Sequence, residues 1–250
     1  MKDKTYYSFV SRHSYKGNDP AYYNAEEYSW ASEIESAFPV MQKELAKLLT
    51  QDVLSPYKNG QLVENENDWK TVSIKAWGMV SFKRAKALPE TMKVFSKIPG
   101  FVSLSFNLLK AGSEIAPHHG DTSATIRGHL GMVVASGLPE LGFQVNGEKR
   151  AWKEGSVLLF SDAHEHCAWN RSELDRIILL FDIVKSNDLN KKQVVCSRVL
   201  AALLLQRIAA KVPILARLPK FVQALFYIQA ALFFYLFIPT KNFFGKLWNL

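Results

Sequence analysis

Five of the six histidines in this chain fall between residues 118 and 166, and they are the side chains with the clearest capacity for chemistry. His118 and His119 follow Pro117 in a predicted turn, His129 lies on the next predicted strand, and His166 on a later one. A lone histidine is more often structural. Two histidines that converge from neighbouring strands of a small β-barrel are a common way to bind iron(II), normally with a carboxylate as third ligand.

Two arginines strengthen the prediction of a charged site. Arg127 precedes His129 by two residues, so both side chains lie on one face of a strand. Arg176 begins an otherwise apolar strand. A guanidinium that enters a barrel needs an anion, because an unpaired buried charge is very costly. A dicarboxylate would supply one; the alternative is an internal salt bridge, for example with Asp162 or Asp182.

The elements that must position these residues are short and separated by turn signals. The Asn-Gly pair at 146–147 predicts a tight hairpin turn. Many short strands with such turns predict a mainly β domain, a sandwich or a barrel. Residues 24–50 are predicted to be helical, with a break at Pro39. A short helix is predicted at 88–98, and strands are predicted at 69–77, 101–109, 126–134, 141–145, 149–152, 156–160, 166–169 and 176–184.

The charge is distributed unevenly along the chain. The net charge is +8, but nine of the 31 Lys and Arg residues follow Asp188, the last acidic residue, so residues 1–188 hold 22 basic against 23 acidic side chains. The basic residues of the tail interrupt Leu, Ile, Ala and Phe rather than Gly, Ser or Pro, which favours an anionic membrane surface as partner and argues against nucleic acid. Residues 221–238 carry no charge and are long enough to approach the thickness of a bilayer. The alternative is a pair of buried core helices or a dimer-forming hairpin.

These patterns predict three parts: an N-terminal helical flank over 1–68, a β-domain over 69–188 and a basic, hydrophobic, membrane-associating helical tail over 189–250. The two cysteines, Cys167 and Cys196, suggest neither a disulfide framework nor a zinc site. The N-terminus shows no secretory signal, so we expect the cytoplasmic face of the inner membrane.

Several motifs together resemble the aspartyl/asparaginyl β-hydroxylase family. The nine-residue step from His118 to Arg127 and the ten-residue step from His166 to Arg176 are part of the resemblance. It covers about residues 69–184 and is carried by PHHGDT at 117–122, IRGHLG at 126–131, WKEG at 152–155, FSD at 160–162 and the pair Glu165–His166. The family includes animal enzymes that hydroxylate aspartyl or asparaginyl residues and bacterial enzymes that hydroxylate acyl chains of lipid A or ornithine lipids. The hydrophobic tail resembles the lipid A hydroxylases more loosely.

The resemblance implies a double-stranded β-helix, or jelly roll, that uses iron(II), 2-oxoglutarate and O2. His118 and His166 would bind the iron, and Arg176 the distal carboxylate of 2-oxoglutarate. Arg127 and His129 would support the other end of the cosubstrate or the outer shell of the metal. Two further positions match cosubstrate-contacting residues, Trp69 and Asn107, the second of which is serine in the animal enzymes.

The third metal ligand stays open at this level. The carboxylate position, two residues after His118, is Gly120; the animal enzymes also have glycine there, whereas the lipid A enzymes tend to have aspartate. A histidine-x-aspartate motif does exist one residue later, from His119 to Asp121. On a strand this shift moves the side chain to the opposite face, but in a turn either histidine could point inward.

The function implied is an iron(II)/2-oxoglutarate-dependent hydroxylase that acts on an acyl chain of a membrane lipid of the lipid A or ornithine-lipid type. One alternative is β-hydroxylation of aspartyl or asparaginyl residues in a peptide or protein. An alternative of another class is a non-catalytic, membrane-tethered β-barrel that binds a metal or an acid.

Overall fold

The computed structural model describes residues 5–8, 15–51, 53–57 and 62–248, so the predicted flank over 1–68 is described in part. Its helices are α1 (Ser29–Ser36), α2 (Phe38–Leu49), α3 (Phe82–Lys86), α4 (Pro89–Ser96), α5 (Lys192–Lys211) and α6 (Lys220–Trp248). The break predicted at Pro39 lies two residues earlier, at Ala37, and proline occupies the first turn of both α2 and α4. Proline is favoured there because its fixed φ suits a helix and its missing N–H is not needed.

Twelve strands of the described residues form two antiparallel sheets. The smaller sheet has the order β6-β11-β8-β9 and consists of β6 (Ser113–His119), β8 (Leu141–Val145), β9 (Glu148–Arg150) and β11 (Glu165–Asn170). The larger sheet consists of β1 (Tyr22–Tyr23), β2 (Ser55–Pro56), β3 (Trp69–Ala76), β4 (Met79–Val80), β5 (Phe101–Leu109), β7 (Thr125–Val133), β10 (Val157–Phe160) and β12 (Arg176–Val184). Its order is β1-β10-β7-β12-β5-β3-β2, with β4 added beside β3.

This arrangement is a double-stranded β-helix with helices before it and a helical tail after it, which confirms the predicted fold class. The Asn-Gly hairpin between β8 and β9 is also confirmed. Asn146 and Gly147 have φ values of 48° and 82°, and Val145 pairs with Glu148 across the turn. Both central residues of a tight hairpin turn of this kind need positive φ.

Strand β6 is the main element that sequence reasoning missed, and the turn predicted at His118 and His119 is wrong. Both histidines end β6, which lies at the edge of the smaller sheet. Pro117 suggested a turn, but an edge strand tolerates proline because only one of its sides is hydrogen-bonded to a neighbour.

The core lies on both faces of the larger sheet. One face packs against α1, α2 and α4 around Met41, Leu45 and Phe95, which are at most 2% exposed. The other face meets the smaller sheet through an aromatic cluster that includes Phe143 and Phe160. Burial of side chains of this size contributes about 1.5–3 kcal/mol each, so this double packing holds the inner face in place.

The two helices of the tail differ in how much of their apolar surface is buried. Helix α5 buries Val195 and Val199 beside Trp77 and Val184, on the part of the larger sheet that the smaller sheet does not cover. Helix α6 instead exposes most of its large apolar side chains, among them Leu232 at 61% and Leu236 at 69%. Among the described residues, two helical segments have the length and hydropathy of a membrane span, Ser186–Lys211 and Lys220–Leu247.

Candidate active site

The pairing of β6 with β11 places two imidazoles side by side. His118 and His166 are register partners across these strands, and their ring centroids are 4.2 Å apart. The Nδ1 atom of His118 lies 2.8 Å from the carbonyl oxygen of Ala116, and that of His166 lies 2.9 Å from the carbonyl oxygen of His164. A carbonyl only accepts, so Nδ1 is the donor in both rings and Nε2 keeps a free lone pair for a metal.

Both rings are held in the neutral form that binds metal. Burial lowers the pKa of His118, and burial together with the neighbouring His118 lowers the pKa of His166 well below its usual value. A neutral imidazole with a fixed tautomer suits a borderline divalent metal such as iron(II). The donor chemistry of the pair therefore fits a two-histidine metal site.

No side chain fits at Gly120, the position two residues after His118 where a carboxylate could have served as third metal ligand. A Cβ atom at Gly120 would lie 1.8 Å from Oδ2 of Asp162. Asp162 is fully buried, and its Oδ1 atom lies 3.7 Å from Nε2 of His166. Within the described ranges, no group of three or more His, Cys, Asp and Glu side chains is arranged to hold a metal ion. Among the described residues, the geometry therefore offers the pair His118 and His166 as candidate ligands, with the Asp162 carboxylate beside them.

His119 lines the same cavity and is the alternative ligand to His118. Its Nδ1 atom is 3.0 Å from the carbonyl oxygen of Ala163, and its register partner is Glu165. Adjacent residues of a strand point to opposite faces. The geometry therefore favours His118 over the histidine-x-aspartate alternative.

Arg127 is held by two buried carboxylates. Its Nε donates to Oδ1 of Asp182 at 2.8 Å, its Nη2 to Oδ2 of Asp182 at 3.2 Å, and its Nη1 to Asp162. These carboxylates raise the pKa of Arg127 although burial lowers it. The salt bridge to Asp162 or Asp182 that the sequence left as an alternative is thus present at Arg127. Its guanidinium fixes Asp162 beside His166.

Arg176 has the opposite environment. Its side chain is 2% exposed, its Nε atom has no hydrogen-bond partner among the described residues, and none of their ion pairs includes it. Its guanidinium carbon lies 4.5 Å from the ring centroid of Trp152. Burial lowers the pKa of Arg176 to about 9. A buried cation without an acid partner is costly, so this position calls for an anionic ligand.

The remaining predicted residues line the same space. Trp69 donates from Nε1 to Oδ1 of Asn107 at 3.3 Å, and Trp152 donates from Nε1 to Nδ1 of His129 at 3.2 Å. Since Nδ1 of His129 accepts, its proton lies on Nε2. Burial and the nearby Arg176 lower the pKa of His129 well below its usual value, which keeps this ring neutral.

All seven metal-binding and cosubstrate-binding residues predicted from the sequence line one cavity of about 840 Å³. Sequence reasoning missed three of its other walls. Tyr57 stacks on Trp69 at 3.7 Å between centroids, and Gln206 and Arg207 of α5 line the cavity. No local signal marked Tyr57, and neither interpretation of the tail, as a membrane-associating segment or as buried or dimer-forming helices, predicted that it lines this cavity.

Comparisons with known proteins place the chain in a family. The profile of the aspartyl/asparaginyl β-hydroxylase family matches residues 35–186. This chain belongs to that family. It is 33% identical to the ornithine lipid ester-linked acyl 2-hydroxylase of Rhizobium tropici over 177 residues, which is 68% of this chain and 62% of that protein. It is 25% identical to the human aspartyl/asparaginyl β-hydroxylase over 164 residues, which is 63% of this chain and 20% of that protein.

Solved structures show a looser likeness to this β-hydroxylase family member. A prolyl-4-hydroxylase of Pseudomonas putida aligns over 60% of this chain and 87% of its own, with a TM-score of 0.41 and 11% identity. HygX of Streptomyces hygroscopicus, solved with nickel and 2-oxoglutarate, aligns over 58% and 79% with a TM-score of 0.41 and 10% identity.

Proposed function

We propose that this protein is an iron(II)- and 2-oxoglutarate-dependent hydroxylase that acts on an acyl chain of a membrane lipid. The observation that carries the proposal is Arg176, a buried guanidinium without an acid partner in the same cavity as the paired histidines. A dicarboxylate that chelates a metal at one end and meets this cation at the other fits both features.

In this proposal, each group has residues that would hold it. His118 and His166 would hold iron(II) through Nε2, and Arg176 would hold the distal carboxylate of 2-oxoglutarate. Asn107, Trp69 and His129 would contact the cosubstrate from the larger sheet. When bound, these groups supply activation of O2: one oxygen atom enters a C–H bond of the substrate, and the other leaves in succinate as CO2 is released.

The chain's own contribution is position, charge and exclusion of water. Trp152 supports the Arg176 guanidinium from one side and fixes the His129 ring through a hydrogen bond. Phe143 and Phe160 pack against His166 with centroids 5.9 and 5.7 Å away. A site walled by aromatic rings strengthens electrostatic contacts to a bound anion, because the local dielectric is low.

The lipid substrate is supported by the tail and by the family. Helix α6 exposes a broad apolar surface, and its uncharged stretch is bordered by Lys220 and Lys241. Exposed apolar surfaces of this extent are typical of membrane contact, and lysines at the ends of such helices reach the lipid–water boundary. The rhizobial relative, by its name, hydroxylates an acyl chain of a lipid. We extend the proposal to the cytoplasmic face of the inner membrane, where Cys167 and Cys196 stay free thiols.

Succinate release tests the reaction. The purified chain with iron(II), ascorbate and 2-oxoglutarate should release succinate in the presence of an acyl lipid, and the lipid should gain one oxygen by mass. His166→Ala should abolish both signals. Hydroxylation of an aspartyl peptide with no lipid modified would favour the alternative substrate, and absence of any turnover would favour a non-catalytic barrel.

Membrane attachment is tested separately by two substitutions on the exposed face of α6. Leu232→Glu/Leu236→Glu should move the protein from the membrane fraction to the soluble fraction, because charges in hydrocarbon are costly. Lys43→Glu/Lys47→Glu on α2, which also adds two acidic residues at exposed positions, should leave the distribution unchanged. A wild-type chain that stays soluble in flotation with anionic vesicles would refute the attachment.

A further inference from the structure

The inner face of β3 and β5 is polar where a jelly-roll interior is usually apolar. Alternate residues of the two strands contribute it, and we call this strip the polar lane: Thr71, Ser73 and Lys75 of β3 with Ser103, Ser105 and Asn107 of β5. Register partners within it are Thr71 with Asn107 and Ser73 with Ser105. All six side chains line the cavity that holds the histidine pair.

The cavity has more room than a small dicarboxylate needs. Its 840 Å³ is at the upper end of the range of about 300–1,000 Å³ for ligand pockets. Arg176, the register partner of Leu109, lies near Asn107 at one end of the polar lane. Lys75, near the end of β3, and Arg84, bonded to Ser73, lie toward the other end, where α5 packs beside Trp77. The lane therefore extends from the proposed cosubstrate position toward the tail.

Two cations of this outer end have no acid partner. Lys75 donates from Nζ to the carbonyl oxygen of Phe101 at 2.8 Å, and Arg84 donates from Nη1 to that of Ser73 at 2.8 Å. No ion pair of the described part of the chain includes either of them. Both are only half-buried, so their remaining N–H groups are open to an anion.

Helix α6 of the tail is hydrogen-bonded to the β3–β4 hairpin beside this outer end. Lys241 donates from Nζ to the carbonyl oxygen of Val80 at 2.5 Å, and Asn242 donates from Nδ2 to that of Gly78 at 2.8 Å. Lys241 is the first charged residue after the apolar stretch of α6, so it marks the water side of an inserted helix. In the membrane-bound state proposed above, the β3–β4 hairpin would therefore lie at headgroup depth, next to Lys75.

We infer that the outer end of the polar lane, at Lys75 and Arg84, binds the anionic headgroup of the lipid substrate while its acyl chain reaches the histidine pair. This rests on the proposed function and specifies how its substrate is chosen. The hydroxyl groups of Ser73 and Ser105 suit the ester or amide that joins headgroup to chain. The lane thus favours hydroxylation near the carbonyl end of the acyl chain.

The test is a calorimetric titration of the full chain with a soluble short-chain lipid, dihexanoyl phosphatidylglycerol. Lys75→Gln/Arg84→Gln should weaken binding at least about tenfold, since each substitution removes a charge-assisted contact. Lys43→Gln/Lys47→Gln removes the same charge from exposed positions of α2, on the other face of the sheet, and should bind like wild type. Dihexanoyl phosphatidylcholine should bind weakly to all three proteins.

Three results would overturn the inference. They are equal affinity of wild type and the Lys75/Arg84 variant, equal affinity for the choline lipid, and binding of free glycerol phosphate or an acidic peptide as tightly as the lipid. The titration involves no turnover, so its failure leaves the hydroxylase proposal intact. Conversely, absent succinate release would refute the proposed function without changing the titration.

Discussion

The guanidinium of Arg176 lies over the indole of Trp152, 4.5 Å from its ring centroid, and this contact replaces the carboxylate that a buried arginine normally has. Arg127, on the neighbouring strand β7, binds Asp182 and Asp162 instead. Arg127, which is partly buried, and Arg176, which is buried, therefore have opposite electrostatic environments. Arg127 has carboxylate partners within the chain, whereas none of the ion pairs of the described residues includes Arg176.

Arg176→Met should separate ligand binding from folding. The substitution removes an unpaired buried charge, so the melting temperature of the ligand-free protein should stay the same or rise. The affinity for 2-oxoglutarate should fall roughly 100-fold, the loss expected for a bidentate charged contact of about 3 kcal/mol. Thermal melts and calorimetry with 2-oxoglutarate measure the two effects. Arg171→Met, at an exposed position paired with Glu114, is the control. A melting temperature several degrees below wild type would show that Arg176 has a structural partner in the chain.

Arg127→Met should have the opposite effect on stability. It leaves Asp162 and Asp182 buried without their cation, which costs about 3–5 kcal/mol of unfolding free energy. Burial already raises the pKa of Asp182, and without Arg127 its folded pKa would rise further. A group whose folded pKa exceeds its unfolded value favours folding at low pH, so the deficit of the variant should shrink as the pH falls from 8 toward 5. Urea unfolding at both pH values measures this, and a deficit independent of pH would contradict the ion-pair account.

The sequence predicted the β-domain well because its strands are marked by alternation and by turn residues. The bounds of β5, β8 and β12 agree with those predicted. Strand β6 was missed because Pro117 reads as a turn, and its strand character depends on pairing with β11, 46 or more residues away. Long-range pairing leaves no local signal.

The site, like the fold, has features with a local sequence signal and features that depend on long-range contacts. The family motif brought seven residues to attention, and all seven line one cavity. The difference between Arg127 and Arg176 could not be predicted, because it depends on which carboxylates the fold brings within reach. The contribution of α5 to the cavity lining could not be predicted either, since an apolar helix with spaced basic residues is equally typical of a membrane surface.

The choice between His118 and His119 can be decided by metal binding alone. His118→Ala and His166→Ala should each abolish stoichiometric binding of Co(II), because a two-histidine site loses half of its protein ligands. His119→Ala should retain binding within about threefold, because adjacent residues of a strand point to opposite faces and His119 is the register partner of Glu165 rather than of His166. The visible absorption of Co(II) reports ligand number. Loss of that signal in His119→Ala with retention in His118→Ala would reverse the assignment.

Gly120 should be intolerant of any side chain. The Cβ atom of Gly120→Ala would lie 1.8 Å from the buried Asp162 carboxylate, which is held by Arg127 and cannot move freely. We expect a loss of about 1–3 kcal/mol from overpacking, together with weaker Co(II) binding. Gly137→Ala is the matched control, because its Cβ would meet only Ala151 at 3.7 Å. Equal stability of the two variants would show that Asp162 can leave its place beside His166.

The headgroup interaction at the polar lane should depend on pH through Lys75. Burial, with a smaller effect of the nearby Lys192, lowers the pKa of Lys75 to about 8, while Cys196 of α5 acts in the opposite direction. The ammonium is charged below this pKa. The affinity for dihexanoyl phosphatidylglycerol should therefore be highest near pH 7 and decline as the pH rises toward 9. Because the bound anion stabilises the ammonium, the midpoint of this decline should lie above the pKa of the free protein. The phosphodiester keeps its charge over this range. Lys75→Arg should bind equally at both pH values, because a guanidinium keeps its charge. Calorimetric titrations at pH 7 and 9 measure the ratio, and a decline of equal size in Lys75→Arg would assign the titration to another group.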